Sequence, residues 1–176
     1  IITPTLNAEK YISNCILSIK KQKNINIQHI IVDAGSNDKT LYIINKFDHL
    51  ELYNLNGSSI YEALNYGAKF VKSPLIGFLN SDDIYDSDNI LNLVVNEFNK
   101  NDNDKQIIYG NCKFINNNQK LLYRLFPKKK LNHLFAKIRI FNISHPSWFI
   151  SNEAFKILNG YDTNLKFISD CDIIIR

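Results

Sequence analysis

Three short apolar runs end abruptly in polar or acidic residues, and this pattern constrains the fold most. Ile1-Ile2-Thr3-Pro4-Thr5 runs out to Asn7. Residues 27–32 run into Asp33, Gly35, Ser36 and Asp38, and residues 75–79 into Asn80-Ser81-Asp82-Asp83. Short β-branched runs bounded by turn residues read as buried strands. Helical spacing fills the intervals: Ala8, Ile12, Ile16 and Ile19 within residues 7–21, then Leu41, Ile44 and Phe47. A third helix over residues 60–71 has Ala63, Leu64, Gly67 and Ala68 as its close-packing side. Asn7 is placed to cap the first helix. Strands alternating with helices predict an α/β domain with a mostly parallel sheet. In such a sheet the carboxyl ends of the strands share one edge, so the three polar segments converge.

The rest of the chain predicts a short strand at 50–55, a helix at 90–98 and strands at 107–109 and 112–115. A hairpin then returns through Asn116-Asn117-Asn118 to residues 121–125. With 176 residues, 45% hydrophobic and 22% charged, the chain supports one domain with a real core and excludes disorder. No apolar run reaches the roughly 18 residues that span a bilayer. The net charge of +4 is dispersed and gives no nucleic-acid footprint. Cys15, Cys112 and Cys171 lie far apart, which predicts free thiols rather than a disulfide framework or a zinc site. Ile1 opens in mid-strand and Arg176 closes an apolar run, so the chain reads as a fragment.

Several site types are excluded. The dinucleotide fingerprint, the Walker A loop and the G-x-S-x-G elbow are absent. A D-x-D-x-T phosphatase pattern fails at Gly35, and Ser144-His145 are mere sequence neighbours. A carboxylate pair at a strand end remains, with no evident protein nucleophile. Asp82-Asp83 suits Mg²⁺ or Mn²⁺, which take one or two carboxylates plus substrate phosphates; the same pair reads as an N-cap of a helix starting at Ile84. Asp33 reads alone as a turn residue, and Ser36, Asp38 and Thr40 as caps of the next helix. Ser169 or Asp170 reads as the cap of a C-terminal helix. Trp148 is either core or a stacking platform.

The ordered set resembles the family 2 inverting glycosyltransferases of the GT-A fold. The segment from Val32 to Thr40 is similar to the family's D-x-G-S-x-D-x-T stretch, and Ile60-Tyr61-Glu62-Ala63-Leu64-Asn65-Tyr66-Gly67 to its I-Y-D-A-x-N-x-G helix, with Glu62 where Asp is usual. Asn80-Ser81-Asp82-Asp83 resembles its D-x-D-type metal segment. His145-Pro146-Ser147-Trp148-Phe149 and Gly160-Tyr161-Asp162 resemble its late acceptor-side motifs. The resemblance implies a three-layer, Rossmann-like sandwich around a mostly parallel sheet. It implies a single catalytic domain over 1–176, with a donor half at 1–83 and an acceptor half at 84–176. The nucleotide-sugar would be held by Thr3, Pro4, Thr5, Asn7, Asp33, Gly35, Ser36, Glu62, Asn65, Asn80, Ser81 and Asp82, with Gly67 at its border. Asp33 would accept from the imide N–H of uracil. Asp83 would ligate a divalent metal, Mn²⁺ or Mg²⁺, and Asp170 would be the general base. His145, Trp148 and Asp172 would face the acceptor.

The implied reaction transfers a sugar from a nucleotide-diphospho-sugar, UDP-sugar favoured, to a glycan or lipid-linked acceptor with inversion. No protein nucleophile is required for that. The setting implied is surface polysaccharide or lipopolysaccharide synthesis, in the cytoplasm or at the inner face of the cell membrane. A sugar nucleotidyltransferase would want a Gly-rich basic loop after the first strand, which Pro4-Thr5-Leu6-Asn7 is not. A nucleotide-sugar-binding domain without catalysis is the non-enzyme alternative. Residues 121–141 interleave Arg124, Lys128, Lys129, Lys130, Lys137 and Arg139 with Leu and Phe. This stretch reads as a solvated basic face or as a contact with an anionic membrane.

Overall fold

The computed structural model describes residues 1–100, 107–116, 120–126 and 144–176. The chain opens with β1 (Ile2–Thr5), α1 (Ile12–Lys20), β2 (His29–Asp33), α2 (Thr40–Ile44) and β3 (Leu50–Asn54). Next come α3 (Ile60–Ala68), β4 (Leu75–Gly77), α4 (Ile90–Phe98), β5 (Ile107–Tyr109), β6 (Cys112–Ile115) and β7 (Leu121–Leu125). A 3-10 turn (His145–Ser147) leads into β8 (Trp148–Ser151), followed by α5 (Asn152–Ile157) and α6 (Ser169–Ile175). The turn at Asn117-Asn118 lies outside the described residues. So does most of the basic stretch, including Lys128, Lys129, Lys130, Lys137 and Arg139.

β1, β2 and β3 pair in parallel, in a register that sets Thr5 beside Asp33 and Asp33 beside Asn54. The sheet continues past β1: Phe78, just after β4, bridges Ile2 in parallel, and the Leu79 N–H donates to the Ile2 carbonyl at 3.1 Å. Beyond β4 the pairing changes hand, because β8 inserts antiparallel between β4 and β5. All four β8 residues are buried. β6 and β7 form a separate antiparallel ribbon, the hairpin expected from the sequence.

Alternation along each strand sends neighbouring side chains to opposite faces. Ile31 packs with Ala8, Ile12, Ile16 and Ile44 beneath α1 and α2. Ile2, Ile30 and Val32 pack with Ala63, Leu64, Phe78, Trp148 and Phe155 beneath α3 and α5. The result is the three-layer arrangement. α3 sits close on the sheet because Gly67 has no side chain; a Cβ there would lie 2.8 Å from Ile2 Cγ2 and 3.1 Å from Val32 Cγ2. Both neighbours are β-branched and stiff at χ1. Gly67→Ala is therefore expected to destabilise the fold by about 1–3 kcal/mol, despite alanine's better helix propensity. A urea midpoint equal to or above wild type would contradict this packing.

Two expected helix caps are not formed. Asn7 caps nothing: α1 begins at Ile12, and the Asn7 side chain instead accepts the Asn37 N–H at 2.9 Å. Asn7 itself has φ of 50°. α4 spans Ile90–Phe98, the helix expected at 90–98, so the alternative reading of Asp82-Asp83 as the cap of a helix starting at residue 84 does not hold. Gln22 supplies what a cap would: its Oε1 accepts the Leu91 N–H at 3.0 Å, and its Nε2 donates to the Ser87 and Ser18 carbonyls.

Candidate active site

The strand ends do converge, and two cavities meet there. The smaller, of about 330 Å³, is lined by Pro4, Thr5, Leu6, Ala34, residues 58–60, Ala63 and residues 80–82. The larger is a groove of about 1000 Å³ that includes Lys10, Asn14, Asn80, Asp82, Asp83, Cys112, Phe114 and His145. Asn80 and Asp82 line both. Three polar atoms around the smaller cavity are buried without a partner: Thr5 Oγ1, Ser58 Oγ and Asn80 Oδ1. Leaving such atoms unpaired is costly, and they are the atoms that a polar ligand would satisfy.

The loops that shape this cavity are stitched together. Asp33 Oδ2 accepts the Gly35 and Ser36 N–H groups at 2.9 and 2.8 Å, and Ser36 Oγ donates to Asp33 Oδ1 at 2.5 Å. Ser36 Oγ also accepts the Asn7 N–H at 2.9 Å. Gly35 turns the chain at φ +103°. Thr40 Oγ1 accepts the Ala8 N–H at 2.7 Å, and Asp38 Oδ1 accepts the Thr40 N–H at 2.9 Å. Neither Ser36 nor Thr40 caps α2, whose N-cap position is Lys39. Asn7, Asp33, Gly35 and Ser36 thus brace the cavity wall from behind; Asp33, 1% exposed, does not itself line the cavity.

At the shared rim, Asn80 Nδ2 donates to Asp83 Oδ2 at 3.1 Å. The Asn80 carbonyl accepts the Asp83 N–H at 3.0 Å and the Cys15 thiol at 3.4 Å. Burial, and then the charge of adjacent Asp82, pushes the Asp83 carboxyl up to about 6 against the Asn80 hydrogen bond. Among the described residues neither Asp82 nor Asp83 has an ion-pair partner. Two adjacent carboxylates without a cation suit a hard divalent ion. Among the described residues no group of three or more His, Cys, Asp or Glu gathers to hold a metal unaided.

Asp170 lies across the molecule in sequence but close to α3 in space. Tyr61 Oη donates to Asp170 Oδ1 at 3.1 Å. Its charge also reaches His145 and Tyr161, whose Nε2 and Oη are 2.9 Å apart. Burial, then the Asp170 charge, pushes the Tyr61 phenol up to about 12. Burial lowers His145 to about 4, with Asp170 pulling the other way. Both side chains are uncharged at neutral pH. Neither Ser169 nor Asp170 caps α6, whose N-cap position is Ile168.

Known proteins share this architecture. The model of glycosyl transferase family 2 matches residues 1–158. The chain belongs to glycosyl transferase family 2. An uncharacterized glycosyltransferase of Rickettsia typhi is 30% identical over 98% of this chain and 56% of its own length. The chain therefore spans about half the length of such relatives. By fold it is similar to TarS of S. aureus in complex with UDP, with a TM-score of 0.80 and 21% identity over 98% of this chain and 52% of that one. It is also similar to the mannosyltransferase PcManGT of Pyrobaculum calidifontis in complex with GDP-Man and Mn²⁺. There the TM-score is 0.68 and identity 14%, over 98% of this chain and 49% of that one. The GT-A architecture expected from the sequence is present.

Several residues assigned to this glycosyltransferase's donor or acceptor contacts have other work. Thr3 is wholly buried, with its hydroxyl 3.1 Å from His29 Nε2, because strand alternation turns it into the core. Glu62 closes a capping box on α3, where its Oε2 accepts the Ser59 N–H at 2.7 Å. Asn65 clamps the Tyr161 backbone, donating to its carbonyl at 2.8 Å and accepting its N–H at 2.9 Å. Gly67 packs on the sheet and borders no donor cavity. Trp148 is core, 0% exposed and 5.5 Å from the Phe78 ring. Asp172 pairs with Arg176 at 2.7 Å and lines a separate outer depression. Pro4, Thr5, Asn80, Ser81, Asp82, Asp83 and His145 do line the two cavities. Sequence reasoning missed Ser58 and Tyr61, although Tyr61 stood inside a quoted motif; nothing in the sequence marked its hydroxyl as aimed at residue 170.

His145 gives the site a pH signature. Its folded value, about 4, lies below the ordinary 6.5, so the unfolded chain binds the extra proton. The stabilisation is complete above about pH 6.5 and fades as pH falls toward 4, by about 3 kcal/mol at most. Burial depresses His29 in the same sense, whereas the raised Asp83 acts oppositely between about 6 and 4. His145→Gln is therefore compared with wild type: the stability gap between them should narrow on acidification from pH 7.5 to 4.5. A constant gap in urea midpoint would show that His145 is not held neutral.

Proposed function

We propose that this chain carries the catalytic site of an inverting transferase that moves a sugar from a UDP-sugar to an acceptor hydroxyl, assisted by Mn²⁺ or Mg²⁺. Residues 1–83 form its donor half and 84–176 its acceptor half. The observation that carries the proposal is the shared rim. A cavity with three unpartnered polar atoms opens at Asn80 and Asp82 into a groove containing Asp83. Uracil offers one N–H and two carbonyls. The hydroxyls of Thr5 and Ser58 can donate to the carbonyls. Asn80 Oδ1 can accept the N–H. The likeness to UDP-bound TarS supports this choice of nucleotide.

Beside the base, the diphosphate lies over Asp82 and Asp83. The carboxylate pair, without an ion-pair partner among the described residues, fits a divalent cation, and the Mn²⁺ complex of PcManGT supports that fit. Asp83 and Asp82 would hold such a cation, with Asn80 keeping Asp83 aimed, and when bound it would supply charge neutralisation to the departing diphosphate. Asp170 takes the proton of the acceptor hydroxyl as that oxygen bonds to the anomeric carbon. The bond to the diphosphate breaks on the opposite side, which inverts the configuration. The setting proposed is surface polysaccharide synthesis with a glycan or lipid-linked acceptor, at the inner face of the cell membrane. No helix among the described residues is long and apolar enough to cross that membrane. Arg124 is the described part of the basic stretch proposed to meet an anionic surface.

Titration calorimetry of UDP, GDP and dTDP with and without Mn²⁺ tests the donor side. UDP is expected to bind tightest and to depend on the metal, and Thr5→Val should weaken it about tenfold. Preference for GDP or dTDP would overturn the choice of base. Absence of binding by any of the three to the folded chain would remove the donor site altogether.

A further inference from the structure

Tyr61 belongs to no catalytic step above, yet it ties the acceptor half to the donor half at the reacting end. It sits in the first turn of α3, beside Ile60 and Ala63, which line the nucleotide cavity. It is 6% exposed, and its ring packs 5.2 Å from that of Tyr161. Its hydroxyl therefore has little freedom, and it reaches Asp170 Oδ1 at 3.1 Å across 109 residues of sequence. One rigid phenol thus touches a carboxylate in the first turn of the helix that bears it.

We propose that Tyr61 is a positioning residue for the general base: its hydroxyl holds Asp170 Oδ1 and leaves Oδ2 to receive the acceptor proton. This rests on the assignment of Asp170 as base. The geometry fits the need of a base for one free oxygen and a fixed direction, since small misplacements of a reacting group cost large factors in rate. Four groups face Asp170. Tyr61 comes from α3, His145 from the turn before β8, Tyr161 from the loop after α5, and Cys171 is the next residue on α6. Burial pushes Tyr61 and Tyr161 up and His145 down, so these three stay uncharged at neutral pH. Burial likewise pushes the Cys171 thiol up to about 11. The phenol of Tyr61 donates directly to Asp170 Oδ1, and the neighbouring Cys171 thiol also feels the Asp170 carboxylate. A hydrogen bond to the ionised form favours that form, so its loss moves the acid limb of turnover to higher pH.

The test uses release of UDP from UDP-N-acetylglucosamine in the presence of Mn²⁺, with water as acceptor. Wild type, Tyr61→Phe and Asp170→Asn are compared across pH, with calorimetric UDP affinity and thermal midpoints measured alongside. Tyr61→Phe is expected to lower kcat about ten- to a hundredfold, to leave KM and UDP affinity within about twofold, and to shift the acid limb upward. If Asp170→Asn is inactive while Tyr61→Phe keeps the wild-type kcat and acid limb, the positioning role is wrong and the base assignment stands. If Asp170→Asn turns over like wild type, the base assignment fails first and the positioning role falls with it. A Tyr61→Phe variant that lowers the thermal midpoint and kcat without moving the acid limb would make Tyr61 structural and overturn the inference.

Discussion

Asp170→Asn is expected to lower turnover by about 10²–10⁴-fold while leaving UDP affinity at its wild-type value, the range that a positioned general base contributes. Asparagine keeps the size and the hydrogen bond from Tyr61 but has no lone pair basic enough to take a hydroxyl proton. The proposed base is Asp170 rather than its neighbour Asp172. Asp172 is spent on Arg176, which also donates to the Leu158 and Gly160 carbonyls and so closes the end of α6 onto α5. Asp172→Asn should therefore cost stability rather than rate. A single-turnover measurement with saturating donor separates the two variants. If Asp172→Asn loses the rate and Asp170→Asn keeps it, the assignments exchange.

Asp83→Ala is expected to abolish the dependence of UDP binding on Mn²⁺ and to lower turnover by about 10³-fold or more. A bound metal supplies several kcal/mol of charge stabilisation to a leaving diphosphate, at 1.36 kcal/mol per decade. The fold itself should not suffer. Asp83 is raised to about 6 because burial and Asp82 both oppose its charge, so the folded chain without metal bears a cost there that alanine relieves. The combined expectation is a protein that is more stable at pH 7.5 and catalytically silent. Equal Mn²⁺ dependence in wild type and Asp83→Ala, read from calorimetric UDP affinity, would move the metal elsewhere.

The first half of this fold was legible because its signals are local. β-branched runs such as Ile30-Ile31-Val32 can only be buried strands, and Gly67 and Ala63 mark where a helix approaches a sheet. Helix starts were less legible wherever the capping group is remote. The N–H of Leu91 is satisfied by Gln22, 69 residues earlier, and no local pattern announces that bond. β8 was hidden for a related reason: its pairing with β4 and β5 is long-range, and Trp148 looks the same in a sequence whether it stacks on a ligand or fills a core. Within the site, strand-end residues such as Asn80 and Asp82 were found because the chain direction of parallel strands puts them on one edge. The backbone clamps made by Asn65 and Glu62 were not legible, because amides and carboxylates recognise backbone N–H groups as readily as ligands.

The stitching between the loops after β1 and β2 has a kinetic consequence. Asn7, Ser36, Asn37, Thr40 and Ala8 are bonded to one another across about thirty residues of sequence, so the two loops must travel together or not at all. A nucleotide arriving at the proposed site beside Thr5 would meet a wall already in its final shape, and little ordering free energy would be lost on capture. Association should therefore be fast and nearly uniform among nucleotides. Discrimination between bases would then lie in how long each one stays.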